Sequence, residues 1–283
     1  MAFSSVSTNV SFSLISVIES VITESALTAF DFSTLELELE LELESGLGDC
    51  LHEPKKNSGI IARKVIFICD MNYIDFALQV AKIKNLPLPG ASSHYKMAPQ
   101  IRIEELKALE RKNTNPKKAG VVALFYPDER QLTNLLLILR NSYPGVHSNQ
   151  IGFPGGKSEK KDKDLLATAL RETHEEVGVR PEDVRIIKSL SEIYIPPSNF
   201  EVRPYIGLYN KRQAFVKQDD EVEELVEVPL LDFMDDSKMI TQILTTSYAE
   251  NIEVPAFKLK GYTVWGATAM MLSEIKELFK QVL

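Results

Sequence analysis

Glu172, Glu175 and Glu176 stand close together in the chain. On a helix, at about 100° per residue, they share an arc of about 100°. Like charges at i,i+3 and i,i+4 destabilise a helix by a few tenths of a kcal/mol per pair. In the last turns of a helix, glutamates also oppose the negative end of the macrodipole, by roughly 0.3–1 kcal/mol each. Two local rules broken at one place point to a compensating ligand. Oxygen donors without His or Cys suit a hard divalent cation, Mg²⁺ or Mn²⁺, that bridges to phosphate oxygens. The other reading of the same pattern is a solvated acidic helix face.

The segment that must position these carboxylates runs from Phe153 through Gly155 and Gly156 to Val179. It reads as a glycine loop, a charged turn and a helix with an N-cap at Asp164 and a C′ glycine at Gly178, with Pro181 beyond. Leu165, Leu166, Ala169, Leu170, Thr173 and Val177 form its apolar arc, which places the three carboxylates at the margin between core and solvent. The glycines, lacking Cβ, allow close backbone approach to such a site, or form an ordinary turn. A general base could be one of the helix glutamates or come from the acidic run Asp219 to Glu224, where Glu221 is the first choice against a solvated charge run. Arg140 and His147, on the strand and loop leading into Phe153, are placed to contact a substrate phosphate; Arg140 could equally form a structural ion pair. His174 falls on the opposite side of the helix and reads as exposed or packing.

Around that segment the pattern is α/β. Residues 72–84 and 101–111 read as helices, the first ended by Leu86-Pro-Leu-Pro-Gly90. Ala119–Tyr126 and Leu135–Arg140 read as a hairpin turning at Pro127-Asp128-Glu129, and Val184–Ser189, Val202–Tyr209, Leu225–Val228, Ile252–Lys258 and Tyr262–Trp265 as further strands. An amphipathic helix is expected over Ala267–Val282.

The formal charge of the 283 residues is -8, but residues 1–50 hold nine carboxylates and no Lys or Arg, so the remainder sums to +1. This excludes a non-specific nucleic-acid binder, which needs phosphate-neutralising cations. Glu19 and Glu24 interrupt the only candidate secretory run, the acidic composition is the reverse of a transit peptide's, and no stretch reaches the 18 apolar residues of a membrane span. The Leu-Glu repeat from Leu35 to Glu44 would line one strand face with like charges, so it reads as a disordered or accessory tract, or else as a partner-binding strand. Residues 1–70 are thus expected to be an acidic extension and residues 71–283 the working domain. Two cysteines, Cys50 and Cys69, make no disulfide framework and indicate a reducing compartment, with the cytoplasm as the expected location. The assembly state is left open, a homodimer included.

Gly156 and the run Arg171-Glu172-Thr173-His174-Glu175-Glu176-Val177-Gly178-Val179 resemble the Nudix box: Gly, five residues, Glu, seven residues, then Arg-Glu-apolar-x-Glu-Glu-x-Gly-apolar. Here Thr173 replaces the aliphatic residue, Asp162 stands for the first Glu, and Arg171 lies one residue further from Gly156 than the pattern has it. The longer spacing is similar to that of the coenzyme A diphosphatase subfamily. Leu136-Leu-Ile-Leu-Arg140-Asn141, Phe153-Pro-Gly-Gly156, Ile195-Pro-Pro-Ser-Asn-Phe200, Arg203-Pro-Tyr-Ile-Gly207 and Trp265-Gly-Ala-Thr268 also look like that subfamily, with departures at Ile138, Asn141, Gly145 and Asn149. The resemblance covers roughly residues 86–283.

It implies a Nudix-type α/β/α sandwich with a central mixed sheet, and a Mg²⁺- or Mn²⁺-dependent hydrolysis of a small nucleoside-diphosphate compound. The favoured substrate is coenzyme A or an acyl derivative, with ADP-ribose or another nucleotide derivative as the alternative and a non-catalytic ligand-binding module as the alternative of another class. It also implies Glu172, Glu175 and Glu176 as metal ligands and Arg171 as the residue that orients them. With Glu221 taken from the acidic run, the expected catalytic set is Glu175, Glu176, Arg171 and Glu221, and Arg140, His147, Phe153, Gly155 and Gly156 are expected beside the substrate.

Overall fold

The computed structural model describes residues 71–109, 115–142, 149–210, 213–245 and 251–283. The expectations for residues 1–70, for Gly145 and for His147 lie outside these residues.

Strand β1 (Lys117–Pro127) organises the rest. Val121, Ala123 and Phe125 fall in one buried cluster and Val122, Leu124 and Tyr126 in another, as the two-residue period of a strand requires. A strand buried on both faces needs a covering layer on each. β1 runs antiparallel to β2 (Thr133–Arg140) and to β4 (Gly155–Lys157), and parallel to β7 (Phe200–Tyr209). β3 (Ile151–Gly152) and β8 (Val222–Pro229) pair with β2, while β5 (Val184–Ser189) and β6 (Ile193–Ile195) pair with β7. The result is a mixed eight-stranded sheet.

Helices α1 (Tyr73–Val80) and α4 (Gly266–Phe279) cover one face, where Phe76, Phe125 and Phe279 meet with ring centroids 5.1 to 5.6 Å apart. Helix α3 (Leu165–Val177) covers the other, with Ala169 and Val177 set among Val122, Leu124 and Ile138. Helix α2 (Gln100–Leu109) follows α1 in the chain, and a second sheet of β9 (Met239–Leu244), β10 (Ile252–Leu259) and β11 (Tyr262–Val264) precedes α4. The expected α/β/α sandwich with a mixed central sheet is what forms. The helix expected over 72–84 divides into α1 and a 3₁₀ segment, Ala81–Asn85. β3, β4 and β6 are two or three residues long and carry no periodicity of their own.

Glu274 of α4 is fully buried and ties three segments together. One carboxylate oxygen accepts from Gly90 N at 3.0 Å and Ser191 Oγ at 2.6 Å, the other from Ser191 N at 3.2 Å and lies 3.1 Å from His94 Nε2. Burial alone would raise its pKa, but the hydrogen bonds with His94 and Ser191 outweigh burial and hold it below the ordinary value. A carboxylate with a depressed pKa contributes stability above the ordinary range of about 4.3 and loses it as pH falls. Glu274→Gln is therefore expected to lower unfolding stability by about 1.5–3 kcal/mol at pH 7, the scale of hydrogen bonds to a charged group. Urea titrations of both chains at pH 7 and pH 4 should show this difference shrinking at the lower pH; a difference that grows there would contradict the assignment.

Candidate active site

Helix α3 starts and stops where its local chemistry dictates. The Asp164 side chain accepts from Ala167 N, and Gly178 closes the helix in the left-handed region at φ 77°. Thr173 takes the place of an aliphatic residue without stranding its hydroxyl, which donates to Ala169 O at 2.7 Å. His174 is exposed, as expected. The glutamates differ from the expectation in depth. Glu176 is only 1% exposed, so it lies inside the protein, whereas Glu175 stands out in solvent and Glu172 is half-buried between them.

Glu176 is held by the elements on either side. Its Oε2 accepts from Gly155 N at 2.7 Å, and Arg140 Nη1 lies 3.3 Å from its Oε1, while Arg140 Nη2 donates to Gly155 O at 2.8 Å. Arg140 is thus engaged by protein groups. Burial raises the Glu176 pKa to about 7; Arg140 and the Gly155 N–H pull it down, and Glu172 and Glu221 push it up. The two glycines are required by this approach. A Cβ on Gly155 would lie 2.4 Å from Gly120 O, and one on Gly156 would lie 2.6 Å from Glu172 Cδ.

Arg171 organises the second side of the site. It makes a two-pronged pair with Asp162, at 2.9 and 3.0 Å, and its Nη1 lies 2.9 Å from Glu172 Oε1 and 2.8 Å from Glu175 Oε2. These bonds hold the Asp162 carboxyl well below the usual range, chiefly through the Arg171 hydrogen bond. Asp162, which stands for the first glutamate of the sequence pattern, therefore anchors Arg171. Burial raises the Glu172 pKa, opposed by Arg171 and reinforced by Glu175 and Glu221.

Glu221 arrives from a distant part of the chain. The loop before β8 is fastened to the end of α3, with Val216 N donating to Val177 O and Gln218 N to Glu176 O, each at 3.1 Å. A register shift in the β2–β8 pairing falls at Arg140, and Asn141 N donates to Glu221 O at 3.0 Å. In consequence Glu172, Glu176 and Glu221 bring one carboxylate oxygen each within 4.8 Å of one another. Glu175, grouped with the ligands from the sequence, stays with Arg171 outside this cluster. Distance in sequence hid Glu221's place, although its acidic run marked it as a candidate.

A cavity of about 540 Å³ adjoins the cluster at Gly155 and Gly156. Met97, Val121, Phe153, Ile195, Trp265 and Met271 are among its lining, on the sheet face opposite α3. The cavity contains Phe153, Arg140 and both glycines of the expected substrate set. Arg102, which belongs to no motif of the chain, also lines it and pairs with Glu105.

The NUDIX domain profile matches residues 116–243. Over 148 residues the chain is 34% identical to an uncharacterised Nudix hydrolase, NudL, of Pectobacterium atrosepticum, covering 50% of this chain and 72% of the relative. The chain belongs to the Nudix hydrolase family. It is 33% identical to Nudix hydrolase 15, mitochondrial, of Arabidopsis thaliana over 164 residues, 56% of each chain. It is 27% identical over 172 residues to the peroxisomal coenzyme A diphosphatase ndx-8 of Caenorhabditis elegans, covering 60% of this chain and 72% of that one. As a Nudix hydrolase it acts on small nucleoside-diphosphate derivatives. No helix among the described residues is long and apolar enough to cross a membrane.

Nudix hydrolases generally use divalent cations such as Mg²⁺ or Mn²⁺, and the donor set fits one. Three carboxylate oxygens converge, and the buried member has too little positive charge around it to ionise at its ordinary pKa. A ligand that binds only the folded state at a hundredfold excess over its Kd stabilises by about 2.7 kcal/mol. Mg²⁺ is accordingly expected to raise the Tm of the wild-type chain, and Glu176→Gln to abolish that rise. A thermal melt in which the variant keeps the full Mg²⁺-dependent shift would place the cation elsewhere.

Proposed function

We propose that the chain is a coenzyme A diphosphatase, hydrolysing coenzyme A or an acyl derivative to 3′,5′-ADP and a 4′-phosphopantetheine. The observation that carries this reading is the carboxylate cluster of Glu172, Glu176 and Glu221 at the edge of a largely apolar cavity. The named C. elegans relative and the motifs around Arg140, Phe153 and Trp265 support the choice of substrate. Retention of Glu172, Glu175 and Glu176 argues against a binding module without activity.

Glu172 and Glu176 would hold the cation, which when bound polarises the diphosphate and lowers the pKa of the attacking water. Arg140 and the Gly155 N–H keep Glu176 directed at that position, and Arg171 does the same for Glu172. Glu221 is the exposed member of the cluster and takes the proton that the water loses as its oxygen bonds to phosphorus and the bridging P–O bond breaks. Glu175 acts through Arg171, as a partner that fixes its guanidinium. A cytoplasmic location belongs to the same proposal; the mitochondrial and peroxisomal names of relatives give it no support.

With Mg²⁺ or Mn²⁺, and a panel of coenzyme A, ADP-ribose, NADH and nucleoside triphosphates, coenzyme A should give the highest kcat/KM. Glu172→Gln and Glu176→Gln should each lower kcat by at least about a hundredfold, the scale of losing a group that stabilises the transition state. A preference for ADP-ribose would reject the substrate, and variants as active as wild type would reject the ligand set.

Residues 71–283 are proposed as the working domain. A chain beginning at Met71 should match the full chain in kcat/KM within about twofold; a loss of tenfold or more, about 1.4 kcal/mol, would assign the first seventy residues a part in catalysis.

A further inference from the structure

The two halves of a diphosphate substrate need different surroundings, and the cavity beside Gly155 and Gly156 provides for only one of them. Its charged lining residues are Arg102, Arg140 and Lys157. Arg140 is engaged by Glu176 and Gly155 O, Arg102 by Glu105, and Lys157 is exposed. A 3′-phosphoadenosine half would bring a doubly charged phosphate into a space whose inner cation is already paired. The buried lining is instead mainly aliphatic and thioether, with one aromatic ring: Met97, Val121, Ile193, Met270 and Met271 with Phe153, each 8% exposed or less. Methionine lining adapts to flexible, irregular apolar groups. At about 540 Å³ the space is within the range of small-molecule pockets.

We propose that this cavity is the subsite for the non-nucleotide arm of the substrate, a branched and mainly aliphatic arm of the pantetheine kind, with the nucleotide half left outside it. The assignment rests on the diphosphatase reading above, because it takes the diphosphate to lie at Glu172 and Glu176. Gly155 and Gly156 border both the carboxylates and the cavity, so a group attached directly to the diphosphate enters there. The arm's amides find polar lining groups in Gln150, Tyr194 and Thr268. Ala267, half-buried in the first turn of α4, lines the cavity, and a larger side chain there would take up part of its space.

Of seven methionines, Met97, Met270 and Met271 line the cavity, which makes it readable by NMR of the full-length chain labelled with [methyl-¹³C]methionine. Pantetheine is expected to shift these three methyl signals and leave exposed Met239 in place, and adenosine 3′,5′-bisphosphate to leave all three unmoved. Ala267→Phe should weaken the pantetheine response at least tenfold. Movement of the cavity methionines by the bisphosphate alone, or by neither compound, would overturn the assignment. Coenzyme A hydrolysis by the same preparation separates the two proposals. Methionine shifts without hydrolysis would support the subsite and reject the activity; hydrolysis without shifts would reject the subsite alone.

Discussion

A carboxylate with 1% of its surface exposed costs several kcal/mol to ionise unless positive charge or donors balance it, and Glu176 has one arginine and one backbone N–H for that purpose. Two further carboxylates stand within 4.8 Å and make the imbalance worse. The fold therefore maintains an electrostatic deficit that a divalent cation would relieve. The surrounding features serve to keep that deficit in place. Gly156 has no side chain because Glu172 occupies the space, Gly155 has none because the Gly120 carbonyl does, and Arg171 is fixed by Asp162 so that Glu172 faces inward.

The sheet brings these parts together. β1 pairs with β4 and so sets the glycines against α3, while β2 carries Arg140 to the same point. β8, paired with β2, delivers Glu221 after the preceding loop has been fastened to the last carbonyls of α3. On the opposite face, Glu274 joins α4 to the segment around His94 and to Ser191, and those elements flank the wall formed by Met97, Ile193 and Met271. One strand order thus positions both a polar cluster and an apolar cavity on either side of the glycine pair.

Features fixed by local chemistry could be read from the residues alone. Asp164 and Gly178 mark the ends of α3 because capping is settled within a few residues, and β1 with β2 is legible from apolar runs around a turn. The shared arc of Glu172, Glu175 and Glu176 follows from helix geometry, but which of them turns inward does not. That depends on Arg171, which draws Glu175 away, and on loop contacts that put Glu221 in its place. Helical periodicity also put Glu176 at the margin of the core, whereas the strand of Gly155 covers it completely. The cavity was invisible in the sequence because its walls come from separated segments, around residues 97, 153, 195 and 267.

Crystals of the chain soaked in Mn²⁺ and measured at the manganese absorption edge would locate the cation directly. An anomalous peak bound by carboxylate oxygens of Glu172 and Glu176, with Glu221 beside it, is the expected result. Mn²⁺-activated hydrolysis in solution, together with a peak held by other residues and none at this cluster, would contradict it.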